Sequence, residues 1–308
     1  MNSHQRQFQI FVLVQSAFML LDLFELWRTG GKPHLAYFLR AHRRLVFFLF
    51  NVWVAYFAIQ NLLLMAMPSP ETMLADFAAT LALSTVGQTS PADLWSYALV
   101  ALFLLFTYFT AALFDYVIHR WLLHHRRWWF LHESHHLPKV VFNGMPGISL
   151  RPYSAVSVFL TYAGTSAATV TAIKLTNAPW LFGWYLANLP LLMLLFTSLG
   201  SASHSLFLRR YWVVHRSLRW LFLTTPQEHI LHHATEGNCN YGNFASVWDR
   251  IFGTYVDPQK LRGKQLEIGL SYEQDFLGAL CGGKWKLPAA FRRKYQLAEV
   301  CNLTSDKG

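Results

Sequence analysis

Apolar runs of membrane-crossing length constrain this chain more than any other feature. Residues 45–67 carry no charge, residues 94–118 carry only Asp115, and residues 153–173 and 178–199 carry none. About 20 mainly apolar residues suffice for a helix to cross a bilayer, and a helix satisfies its own backbone there. Residues 153–173 are also rich in Ala, Gly, Ser and Thr, which let membrane helices approach closely. Residues 8–27 make a weaker run, because Asp22 and Glu25 interrupt its last turns. This run either spans or lies as an interfacial or buried helix. A cleaved signal peptide is not expected, since the apolar part is long and no small-residue cleavage site follows it. Composition agrees: charged residues are 14%, against about 25% in an ordinary soluble domain. A hydrophobic share of 54% excludes disorder, and three cysteines are too few for a disulfide framework.

The charges between the runs set an orientation. Arg28, Lys32, Arg40, Arg43 and Arg44 lie between the first two, and the connection at 68–91 has no Lys or Arg. Arg120, Arg126, Arg127, Lys139 and Arg151 follow the third run, only Lys174 lies between the last two, and Arg209, Arg210, Arg216 and Arg219 follow the last. The positive-inside bias puts these basic loops and residues 202–308 in the cytoplasm. The net charge of +10 is then topology signal and attraction to anionic headgroups, and no soluble basic face for nucleic acid is present. Cys239, Cys281 and Cys301 fall on the reducing side, so disulfides are not expected. The expected fold is all-α: an integral membrane helical bundle with four or five spans and a cytoplasmic His-rich helical cap.

Eleven of the 14 histidines lie between His119 and His233. They form three groups: His119, His124 and His125; His132, His135 and His136; His229, His232 and His233. His204 and His215 stand alone. On a helix, positions i and i+4 are about 40° apart and i+3 lies about 60° to the other side. Each His-x-x-His-His group can therefore present three imidazoles on one face. His119 and His124 are about 140° apart on a regular helix, so they converge only through a bulged turn or a helix end. His4, His34, His42 and His215 read as hydrogen-bonded core or interfacial residues, and His125 as a supporting one. The imidazole count exceeds one tetrahedral zinc site and argues for two metals, with Fe, Zn, Cu and Ni open on ligand type.

Thr225-Pro226-Gln227-Glu228-His229-Ile230-Leu231-His232-His233, then Asn240-Tyr241-Gly242-Asn243 and Trp248-Asp249-Arg250-Ile251-Phe252-Gly253-Thr254-Tyr255, resembles the fatty acid hydroxylase/sterol desaturase superfamily. Asp115 ahead of His119-Arg120 fits the same family. The resemblance covers residues 94–257, a fatty acid hydroxylase-type domain between N-terminal membrane helices and loops (1–93) and a cytoplasmic tail without a motif (258–308). It implies a non-haem di-iron centre at the cytoplasmic face of a bacterial inner membrane or endoplasmic reticulum. Dioxygen and external electrons would there hydroxylate or desaturate a lipid: fatty acyl, sterol-like or sphingoid.

The implied ligands are His119, His124, His132, His135, His136, His204, His229, His232 and His233. Where some members have a further His, this chain has Leu208. The step from His119 to His124 is that of the fatty acid 2-hydroxylase branch, whereas sterol-methyl oxidases use a shorter one. Asp115, Asn240 and Asp249 are read as holding imidazole N–H groups, with an ion pair to a neighbouring Arg as the alternative for Asp249. Trp121, Trp128, Trp129 and Phe130 are read as an interface belt, or for some of them a channel lining. No His-Pro-Gly-Gly haem-binding segment occurs, so electrons are expected from a separate ferredoxin-like or b-type-cytochrome-like donor.

Two other classes fit part of the pattern. His132-Glu133-Ser134-His135-His136 contains HExxH, the zinc-protease motif with Glu as general base, which would make the chain an intramembrane metalloprotease or zinc hydrolase. It leaves the second His-x-x-His-His group and His204 unused. Metal storage or transport is disfavoured because the histidines sit at a boundary rather than along a span.

Overall fold

The computed structural model describes residues 3–29, 94–136, 140–141, 155–176, 178, 180–234, 238–269 and 300–302. The run at 45–67, with His34 and His42, lies outside the described residues. What is described is mostly helical. Helix α1 spans Ser3–Arg28 and α2 spans Leu94–Val117, which passes directly into a π-helical turn, Ile118–Leu123. After a 3-10 turn at Trp129–Leu131 come α3 (Glu133–His136), α4 (Ala155–Leu175) and α5 (Trp180–Ser203). Short helices follow: α6 (Leu206–Arg209), α7 (Trp212–Leu218), α8 (Pro226–His232) and α9 (Val247–Ile251).

Among the described residues, one helix is long and apolar enough to cross a membrane: Leu94–Leu123, counting the π turn. Only 28% of its most apolar window is buried among the described residues. Its two faces differ. Leu102, Leu105 and Phe106 point outward, at the spacing that lines up one side of a helix. Phe103, Thr107, Ala111 and Asp115 face inward at steps of four, and the next step along that stripe is His119. The helix thus delivers a polar end to the interior while its flank stays apolar.

Helices α2, α4 and α5 share one core built around Phe103, Phe182, Tyr185 and Phe196. At Gly164, α4 packs tightly on α2: a Cβ there would meet the Phe114 ring at 2.7 Å. A buried stripe of Thr161, Thr165, Thr169 and Ile173 extends this contact, as expected from a run rich in small residues. A second buried cluster joins Leu26 of α1 to Leu206, Ile230, Leu231, Val141 and Ile268.

The cap elements are short but locally well specified. Helix α8 begins with a capping box: Thr225 Oγ1 accepts the Glu228 N–H, and Glu228 Oε2 accepts the Thr225 N–H at 2.9 Å. Pro226 occupies the first helical position, where its missing N–H costs nothing. Asn240 sits in the left-handed region, φ 51°, which Asn tolerates better than most residues. One departure from an all-α fold is a two-stranded antiparallel sheet in the tail, β1 (Gln265–Glu267) pairing with β2 (Val300–Asn302). These strands are three residues long and lie where no pattern marks them.

Candidate metal centre

The first two histidines meet through the π turn. The His124 N–H donates to the His119 carbonyl at 3.1 Å, an i to i+5 bond, so each five-residue step makes roughly one turn. Their rings end 5.2 Å apart by centroid. The convergence that a regular helix forbids is obtained by widening one turn.

Nine imidazoles come together in two groups. His119, His124, His132, His136 and His232 form one, and His135, His204, His229 and His233 the other; within each, one nitrogen per ring lies within 4.8 Å of the rest. In the first, His132 Nε2 is 2.8 Å from His119 Nε2 and 3.0 Å from His136 Nε2. In the second, His204 Nε2 is 3.0 Å from His135 Nε2 and 2.9 Å from His229 Nε2, which is 3.2 Å from His233 Nε2. Both His-x-x-His-His boxes are split. The second sends its i, i+4 pair to the five-membered group and His135 to the other. The third does the reverse, keeping His229 and His233 together and sending His232 across.

Main-chain carbonyls orient three of the rings. His119 Nδ1–H donates to the Tyr241 carbonyl at 2.5 Å, His204 Nδ1–H to Gly200 at 2.7 Å, and His232 Nδ1–H to Cys239 at 3.0 Å. In a neutral imidazole, a proton on Nδ1 leaves Nε2 as a bare lone pair aimed into the group.

Asp115 and Asp249 act one bond further out than expected, and Asn240 holds main chain rather than an imidazole. Asp249 accepts the Tyr241 and Gly242 N–H groups at 2.7 and 2.9 Å and the Thr254 hydroxyl at 2.7 Å, which fixes the carbonyl that receives His119. Asp115 accepts the Asn243 main-chain and side-chain N–H groups, and Asn243 Nδ2 lies 3.2 Å from His119 Nδ1. Asn240 ties α8 to the next strand of chain through the Glu228 and Val256 carbonyls. Gly242 is required here, since a Cβ would lie 2.3 Å from the Ala245 carbonyl oxygen.

Burial keeps the imidazoles neutral. It lowers the pKa of His124 to about 4. His132, His135, His136, His229, His232 and His233 are pushed well below the usual value, first by burial and then by the neighbouring imidazoles. Nε2 of His124 and His232 is buried without a hydrogen-bond partner, as is the opposite ring nitrogen, Nδ1, of His135, His229 and His233, whose Nε2 atoms are the ones that meet in the second group. Buried polar atoms are normally paired. A cluster of neutral, inward-facing nitrogen lone pairs is complementary to a cation, and imidazole suits a transition metal. The donor set therefore fits two metal ions.

The other singled-out residues lie elsewhere. His125 is exposed, and its Nδ1 accepts the Arg127 N–H. His215 is fully buried, 2.9 Å from the Thr225 hydroxyl by Nδ1. Leu208 donates its N–H to Ser205 and brings no ligand atom. Trp121 and Trp128 are exposed as a belt requires, but the Trp129 ring packs on His124 and His136 at 5.1 and 5.4 Å. The sequence does not mark the carbonyls of Tyr241, Gly200 and Cys239 as ring acceptors, because carbonyls belong to every residue type, although Tyr241 lies within the Asn-Tyr-Gly-Asn motif. Asn243 had a signal, its place in Asn-Tyr-Gly-Asn.

The family model for fatty acid hydroxylases matches residues 100–254, half of the chain and a stretch that contains all nine imidazoles. No curated protein and no solved structure matches the chain.

Proposed function

The chain belongs to the fatty acid hydroxylase family, and from that premise we propose that it is a multi-pass membrane oxidoreductase that hydroxylates or desaturates a lipid. The substrate class is fatty acyl, sterol-like or sphingoid. The observation that carries this reading is the division of nine imidazoles into two adjoining groups fed jointly by both boxes. Two iron ions held there would supply activation of dioxygen for attack on an unactivated C–H bond, with electrons from a ferredoxin-like or b-type-cytochrome-like donor.

The chain's own residues hold that centre in place. The carbonyls of Tyr241, Gly200 and Cys239 fix ring orientation, and burial keeps the rings unprotonated. The stripe leading down α2 to His119 supports a centre at the end of a membrane helix, near enough to the bilayer to receive a lipid. The clustering of Arg and Lys after residue 119 supports a cytoplasmic location, in a bacterial inner membrane or endoplasmic reticulum.

A zinc hydrolase built on HExxH would use His132 and His136 with a third ligand and a water. Here those two share their group with three more imidazoles, and a second group stands beside them. Lipid profiles of cells with and without the gene product test the proposal. Lipids gaining one oxygen or losing two hydrogens are expected, and to vanish with His232→Ala. Unchanged lipids, with activity that depends on Glu133 while metal is retained, would favour the hydrolase.

A further inference from the structure

We propose that Asp22, on the N-terminal helix, is a positioning residue for the four-imidazole group, acting through the turn that follows His204. The inference rests on reading that group as a metal site. Helix α1 lies outside the residues that match the family, and Asp22 is one of two acids, with Glu25, that interrupt its apolar run. An unpaired buried carboxylate is costly, yet Asp22 is fully buried. Its Oδ1 accepts two hydrogen bonds from the far side of the sequence: the Ser205 hydroxyl at 2.7 Å and the Phe207 N–H at 2.9 Å. Ser205 Oγ in turn accepts the Leu208 N–H and caps α6.

His204 therefore sits between two anchors. Upstream, its Nδ1–H is held by the Gly200 carbonyl and lies 3.2 Å from Ser203 Oγ. Downstream, the peptide is held by the carboxylate of a different helix. One turn along α1, Leu26 is buried against Leu206, Ile230 and Leu231, so the same face also packs on the third histidine box. His204 Nε2 links His135 to His229, so a shift of its backbone separates the second box from the third within this group. Supporting residues of this kind typically change metal affinity by about 10- to 100-fold.

The test is metal content of the detergent-purified full chain after a chelator wash. Asp22→Asn keeps an oxygen that can accept both bonds, and is expected to retain metal as wild type does. Asp22→Ala is expected to lose metal from the four-imidazole group alone, leaving about half the wild-type content, by a drop in affinity of about 10- to 100-fold. The double variant with His204→Ala should lose no more than His204→Ala does by itself. If Asp22→Ala does not fold, Ser205→Ala, which removes one of the two donors, should weaken metal retention in the same group. Undiminished metal in Asp22→Ala, or in Ser205→Ala where that variant stands in, overturns the inference while leaving the metal reading intact. Wild-type protein that binds no metal overturns both.

Discussion

Asp249 organises the centre without touching an imidazole. Its carboxylate gathers the Tyr241 and Gly242 N–H groups and the Thr254 hydroxyl, and the Tyr241 carbonyl thus fixed receives His119. Asp249→Ala leaves buried donors unpaired, at about 1–3 kcal/mol each, and frees the ring it steadies indirectly. Metal retained against a chelator should fall by about 10- to 100-fold; unchanged retention in folded protein would contradict this role. His215 gives a residue-scale pH prediction. Burial holds its pKa down to about 4, so the folded state resists the proton that the unfolded chain takes up near pH 6.5. Stability is unaffected by this group above that value and declines as pH falls from about 6.5 to about 4. In thermal unfolding across that window, His215→Gln should flatten the decline, and an unchanged slope would show the residue does not cause it.

At the scale of elements, spacing was informative up to a point. The five-residue step from His119 to His124 required an irregular turn, and a π turn is what the chain forms. The two His-x-x-His-His boxes were legible as three-imidazole faces. Their splitting between groups was not, because helix geometry ranks side chains by angle but does not say what lies on either side of the face. It has a sharp consequence. His136 and His233 end their boxes at equivalent positions, yet they belong to opposite groups. Each Ala variant should remove a different metal, so a spectroscopic probe of either site separates them, and identical spectra would refute the division. Helix α1 was ambiguous on hydropathy alone because Asp22 and Glu25 looked like interruptions. They are buried contacts: Asp22 with Ser205 and Phe207, Glu25 with Arg28 and, at 3.9 Å, Arg210. The pairings with Ser205, Phe207 and Arg210 are long-range and leave no local trace, whereas Glu25 and Arg28 lie one helical turn apart.

For the whole molecule, the apolar runs and the histidines describe one arrangement. A membrane-length helix exposes an apolar flank, turns the stripe of Phe103, Thr107, Ala111 and Asp115 inward and ends at the first imidazole of the centre. Among the described residues the helical character was legible, whereas the short paired strands of the tail had no pattern to announce them. The central claim is that the two imidazole groups hold two irons. The most direct test is the metal content of full-length protein purified from iron-replete cells, with dioxygen consumption measured on the same sample. The account predicts about two irons per chain, as the ligand count implies, and dioxygen use that disappears when His232→Ala removes the metal. A single zinc per chain with no dioxygen consumed would contradict it.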